Sequence, residues 1–104
     1  MIEELFQMTL GDSHTIERII ADDNIHYNHM ILEKDQGLPE HDTNSTVYMT
    51  VLRGRLSIAL AHQEAQEYEA GSILKLPKGV RMKVLNKYED ILELIVIKAP
   101  APGK

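Results

Sequence analysis

Five histidines are the side chains in this sequence best suited to metal or acid–base chemistry near neutral pH. His41 lies in the run His41-Asp42-Thr43-Asn44, whose polar groups could orient a small ligand. Its bland alternative is an idle, exposed loop histidine. His26 and His29 fall on one apolar stretch, three residues apart, so strict strand alternation points them to opposite faces. His29 lies on a strand that could reach an internal cavity, with His26 pointing the other way. Its ordinary alternative is a partly buried strand residue with a single hydrogen bond. His14 and His62 sit in turn-like surroundings and are expected at the surface. Glu33, Asp35, Glu40 and Asp42 make a carboxylate-rich region, but without geometry they are not an acid–base pair. No nucleophile elbow, glycine-rich phosphate loop or Ser-His-Asp spacing is present, and no catalytic residue is assigned. Cysteine is absent, which removes thiolate nucleophiles, disulfides and zinc–thiolate sites.

The elements that must position these residues read as short strands. The chain has 104 residues, enough for one domain and one modest core. Alternation and β-branched runs predict strands over 15–21, 25–34, 46–53, 56–61, 73–76, 80–85 and 91–98. Residues 62–70 are acidic and read as a solvent-facing strand. Residues 1–10 could be a helical turn or an edge strand. Residues 35–45 form a loop rich in Gly, Pro, Asp and Asn that carries His41. Residues 99–104 are expected to be a flexible tail, because proline donates no ladder hydrogen bond. Short strands at this spacing imply an all-β sandwich or barrel.

Two glycine-punctuated blocks organise the middle of the chain, Gly37 to Gly54 and Gly71 to Asn86. The second reads G-x5-P-x-G-x2-M-x3-N, with Gly71, Pro77, Gly79, Met82 and Asn86. The first keeps His41 and Gly54, with Thr43 and Val47 between them. These blocks resemble the two motifs of the cupin family, usually written G-x5-H-x-H-x3-4-E-x6-G and G-x5-P-x-G-x2-H-x3-N. The resemblance covers nearly the whole chain and implies a double-stranded β-helix, a jelly-roll barrel. Where metal-binding cupins place three His and one Glu, this sequence has His41, Thr43, Val47 and Met82. Only three residues separate Gly37 from His41, where the family has five.

The resemblance therefore implies a cavity wall of Val47, Met49, Val51, Val80, Met82 and Val84, with the polar groups of His41 and Thr43 at its mouth. The ligand pocket is expected from His41, Thr43, Val47, Met49 and Met82, and no metal cofactor is expected, since valine and threonine supply little to a first-row ion. The first functional expectation is a cupin of small-molecule-binding type. A second is a metal-dependent enzyme, isomerase or dioxygenase in type, using a divalent transition metal weakly bound in a rearranged site around His41 with His29, Glu33 or Glu40. A third is a structural or regulatory dimer with a filled barrel. Strands 25–34 and 91–98 carry apolar residues on both faces, which predicts a homodimer with the N-terminal segment near its interface. The net charge of -5 argues against nucleic acid or an anionic membrane as partner. No apolar run approaches the roughly 20 residues of a membrane span. The acidic start lacks the basic, apolar pattern of a signal peptide, so the expected location is cytoplasmic.

Overall fold

The computed structural model describes residues 2–103 and contains no helix among them, hence none long and apolar enough to cross a membrane. Its strands are β1 (Thr15–Ala21), β2 (His26–Glu33), β3 (His41–Asp42), β4 (Val47–Arg53), β5 (Arg55–Leu60), β6 (Gln66–Glu69), β7 (Ile73–Leu76), β8 (Arg81–Leu85) and β9 (Ile91–Lys98). All pairings are antiparallel. β5 and β6 form a hairpin at the tip. Walking outward from it, β4 pairs β7, β3 pairs β8 and β2 pairs β9. A long antiparallel ladder has thus been rolled up. The cross-pairs β4–β9 and β5–β8 then join its arms into sheets ordered β1-β2-β9-β4-β7 and β3-β8-β5-β6. This is an all-β jelly roll of two facing sheets, and its ladders do not close into a continuous barrel.

Alternation decides which residues meet between the sheets. Leu32, Met49, Val51, Leu56, Ile58, Val84, Leu92 and Leu94 are buried there and form the core. Each sheet is apolar on its inner face, and burying that face is the main favourable term in holding the layers together. Gly54 makes the β4–β5 turn possible. Its φ is 82°, and a Cβ there would stand 2.2 Å from the Ile91 carbonyl oxygen. Gly37 is required for close approach alone: a Cβ would meet the Val84 oxygen at 2.4 Å. The segment 35–38 can therefore lie along β8, with Leu38 N–H donating to Val84 O and Asn86 N–H to Gln36 O.

Three expectations about the ends and loops need correction. Residues 2–10 are neither helix nor strand. The loop 35–45 contains the two-residue strand β3, which alternation could not reveal at that length. The tail expected to be flexible is docked as far as Ala101, which is buried. Ala99 N–H donates to Thr46 O, Ala101 N–H to Asn24 O, and the Ser45 hydroxyl to the Pro100 carbonyl. Proline does end the ladder, but the neighbouring backbone groups still find partners.

Candidate functional site

The motif positions converge at one end of the jelly roll. β3 sets His41 opposite Met82 on β8, and β4 brings Val47 and Met49 from the facing sheet. All five predicted pocket residues, His41, Thr43, Val47, Met49 and Met82, line one cleft of about 50 Å3. The cleft opens into a wider mouth of about 350 Å3 that shares Asn28, Met30, Leu38, His41 and Lys98 with it. Its inner wall is apolar, and the polar side chains of Asn28, His41, Thr43, Asn44 and Lys98 also border it.

Each polar group has a defined state. The His41 Nδ1 lies 2.8 Å from the Pro39 carbonyl, which fixes the proton on that nitrogen and leaves Nε2 without a partner among the described residues. Thr43 is committed to structure. Its hydroxyl donates to Pro77 O at 2.7 Å and accepts the Val80 N–H at 2.9 Å, tying β3 to the β7–β8 turn. Thr43 therefore shapes the rim, and its hydroxyl proton is already spent. Asn86 of the second motif is fully buried and donates to the Leu32 carbonyl at 2.9 Å, a structural bond away from the cleft.

His29 is where the sequence reading fails. The inner face of β2 carries His26, Asn28, Met30 and Leu32, so His29 points to the outer face and does not reach the cavity. There it is wholly buried between two carboxylates. Nδ1 is 2.7 Å from Glu17 and Nε2 is 2.6 Å from Glu93. Arg53 Nε donates to the second Glu93 oxygen at 2.6 Å, and the guanidinium continues to Asp12 and to the Gly11 carbonyl. The His29 hydrogen bond is the chief cause that holds the Glu17 carboxyl below its usual value, followed by the Thr9 N–H. Burial pushes Glu93 up, but the hydrogen bonds from His29 and Arg53 outweigh it and leave the carboxyl low. Each ring nitrogen of His29 thus faces a carboxylate oxygen at hydrogen-bonding distance.

Among the described residues, His29, Glu33 and Glu40 are not brought together with His41. Glu33 accepts the His14 N–H, while Glu40 and Asp42 face Arg81 at 2.9 and 3.6 Å. Neither Glu33 nor Glu40 lines the cleft. Among the described residues no group of three or more His, Asp or Glu is placed to hold a metal ion. The family positions offer one free imidazole nitrogen, an engaged hydroxyl, an aliphatic chain and a thioether, which do not fit a divalent first-row ion.

Asn28, Met30, Leu38, Val96 and Lys98 also line the cleft and were not singled out from the sequence. For Asn28, Met30, Val96 and Lys98 the signal lay in the alternation of strands β2 and β9, but neither face of those strands looked cleanly polar. The inner one could not be chosen.

An uncharacterized protein of Methanocaldococcus jannaschii is 31% identical to this chain over 105 residues, spanning all of it and 90% of the relative. A crystal structure from that organism, described as an RmlC-like cupin family protein with a double-stranded β-helix fold, superposes with a TM-score of 0.95 at 31% identity, covering 98% of this chain and 94% of its own. The chain belongs to the RmlC-like cupin family. A cupin superfamily protein from Desulfitobacterium hafniense (TM-score 0.75, 11% identity, 89% and 83% covered) shares the fold. So does a cupin-2 domain containing protein from Shewanella frigidimarina (TM-score 0.68, 21% identity, 86% and 84% covered). No protein-family model matches the sequence.

Proposed function

We propose that this cupin binds a small, largely apolar molecule in the cleft beside His41, without the metal of metal-binding cupins. The observation that carries the reading is the cleft itself. The space beside His41 and Met82 is not packed solid; apolar side chains face it, and the His41 Nε2 at its rim has no partner among the described residues. A filled barrel of purely structural role would have placed side chains there. A thermal-shift screen of small molecules tests the reading, because a ligand that binds only the native state raises Tm. Val47→Phe, which fills the inner wall, is expected to abolish the shift while the variant stays folded. Retention of the shift in Val47→Phe would reject the cleft as the site. Elemental analysis tests the metal part: protein purified without added metal is expected to carry clearly less than one equivalent of iron, zinc, manganese or nickel.

Two copies are proposed to pair through the outer face of the five-stranded sheet. Leu52 and Ile73 are exposed on that face, and Ile2, Leu5 and Leu10 of the N-terminal stretch are exposed as well. Thr9 and Asp12 tie that stretch to Glu17 and Arg53 on the same sheet. A second copy of the chain is the partner proposed to cover these exposed apolar side chains.

A further inference from the structure

The mouth of the cleft carries two cations, Arg18 and Lys98, that have no ion-pair partner among the described residues. On the inner face of the five-stranded sheet, Arg18 pairs across strands with Asn28, and Asn28 with Val96. Lys98 stands two residues along β9, opposite His26 on one side and Val47 on the other. Arg18, Asn28 and Lys98 all line the mouth. Among the described residues neither cation has an ion-pair partner; the ion pairs are made by His29, Arg53, Arg55 and Arg81. Glu17 borders the mouth, but its carboxylate is held by His29 and Thr9. Asp22, the acid whose charge reaches His26, accepts the N–H groups of Asn24 and Ile25.

Asn28 is the second, independent sign. It is only 7% exposed, it lines both the cleft and the mouth, and its Oδ1 has no partner. A buried amide oxygen without a partner is costly unless something bound beside it, or a turn of the amide, satisfies it. The two ends of an amide are interchangeable by rotation, so the same group can present its NH2 to the cleft. Burial first, then the charge of Arg18, lowers the Lys98 ammonium from its usual value. His26 is lowered by burial and then by Arg18 and Lys98. Both directions are what uncompensated cations beside an apolar wall produce.

We propose that the cleft takes a small organic acid, its carboxylate held at the mouth by Arg18 and Lys98 beside the Asn28 amide, and its short aliphatic chain against Met49, Met82 and Val96. The proposal rests on the reading of the cleft as a small-molecule site and adds the class of ligand. A guanidinium fork matches the planar carboxylate, and the ammonium supplies a second charge without demanding one geometry. A protein of net charge -5 otherwise repels such an acid, so the local cations have to provide the attraction.

The test is calorimetric titration of the full chain at low ionic strength with hexanoate, hexanamide, hexyl phosphate and inorganic phosphate. Hexanoate is expected to bind about tenfold more tightly than hexanamide, the factor that one charge-assisted hydrogen bond supplies. Lys98→Met and Arg18→Gln are each expected to weaken hexanoate by about three- to tenfold more than they weaken hexanamide, and an equal loss for both ligands overturns the charge contact. Lys98→Arg, which keeps the charge, is expected to retain most of the affinity and controls for folding of the Met variant. Equal affinity for hexanoate and hexanamide overturns the acid class while leaving the cleft as a site for neutral molecules. Tighter binding of hexyl phosphate than hexanoate overturns the carboxylate. Inorganic phosphate matching hexanoate overturns the role of the aliphatic chain. Failure of both hexanoate and hexanamide to bind defeats the proposal, and the thermal-shift screen then decides whether the cleft reading falls with it.

Discussion

Replacing His29 by alanine is expected to destabilise the fold by about 3–5 kcal/mol, the cost of removing one wholly buried partner from a hydrogen-bonded, charged cluster. Urea unfolding checks it, and a loss below about 1 kcal/mol would contradict the burial of His29 between Glu17 and Glu93. The same cluster sets an acid limb. Both glutamates are held below the ordinary value of 4.5 in the folded state, so the stability they contribute is present above that pH and is lost as the pH falls through their folded values. Glu17→Gln should therefore flatten the fall in Tm below about pH 4.5, and an unchanged acid limb would reject the linkage. None of this was legible in the sequence. Glu17, His29, Arg53 and Glu93 come from four strands, and only the register of β1, β2, β9 and β4 brings them together. His41 was legible, because its place is fixed locally by the loop and the motif spacing.

Among the elements, the β4–β5 turn depends most on one residue. Gly54→Ala forces an L side chain to positive φ, about 1–3 kcal/mol by itself, and adds a clash with the Ile91 carbonyl. Gly79→Ala shares the positive φ, of 84°, but meets nothing within 4 Å. Gly54→Ala should accordingly be the more destabilising of the two in urea unfolding. Equal losses would mean that conformation alone matters and that Ile91 yields. The strands themselves could be read from alternation, since the inner residues of β4 and β8 share one face with the motif positions. Strands β2 and β9 resisted that reading. Their outer faces carry Ile31 and Ile95, buried like the inner Leu32 and Leu94, so the pattern had no polar side to mark the exterior.

At the scale of the whole molecule, the jelly roll was legible because paired glycine blocks punctuate the rolled ladder at its turns, whereas partners and ligand lie outside what one chain's pattern encodes. The apolar outer face predicts a dimer in sedimentation equilibrium at micromolar concentration, and a mass that stays at 11.8 kDa would contradict it. Leu52→Lys together with Ile73→Lys should shift that equilibrium toward monomer without unfolding the chain, because both side chains are exposed in the single copy. The cleft is tested most directly through its own methionines. Met30, Met49 and Met82 line it from three strands, while Met8 lies in the N-terminal stretch and serves as a control. Methyl NMR of the chain labelled at methionine, titrated with small apolar molecules beginning with hexanoate and hexanamide, should shift the Met30, Met49 and Met82 signals together in a saturable manner and leave Met8 in place. Saturable shifts confined to Met8, or no saturable shift at the three cleft methionines with any molecule tried, would contradict a ligand site between the sheets.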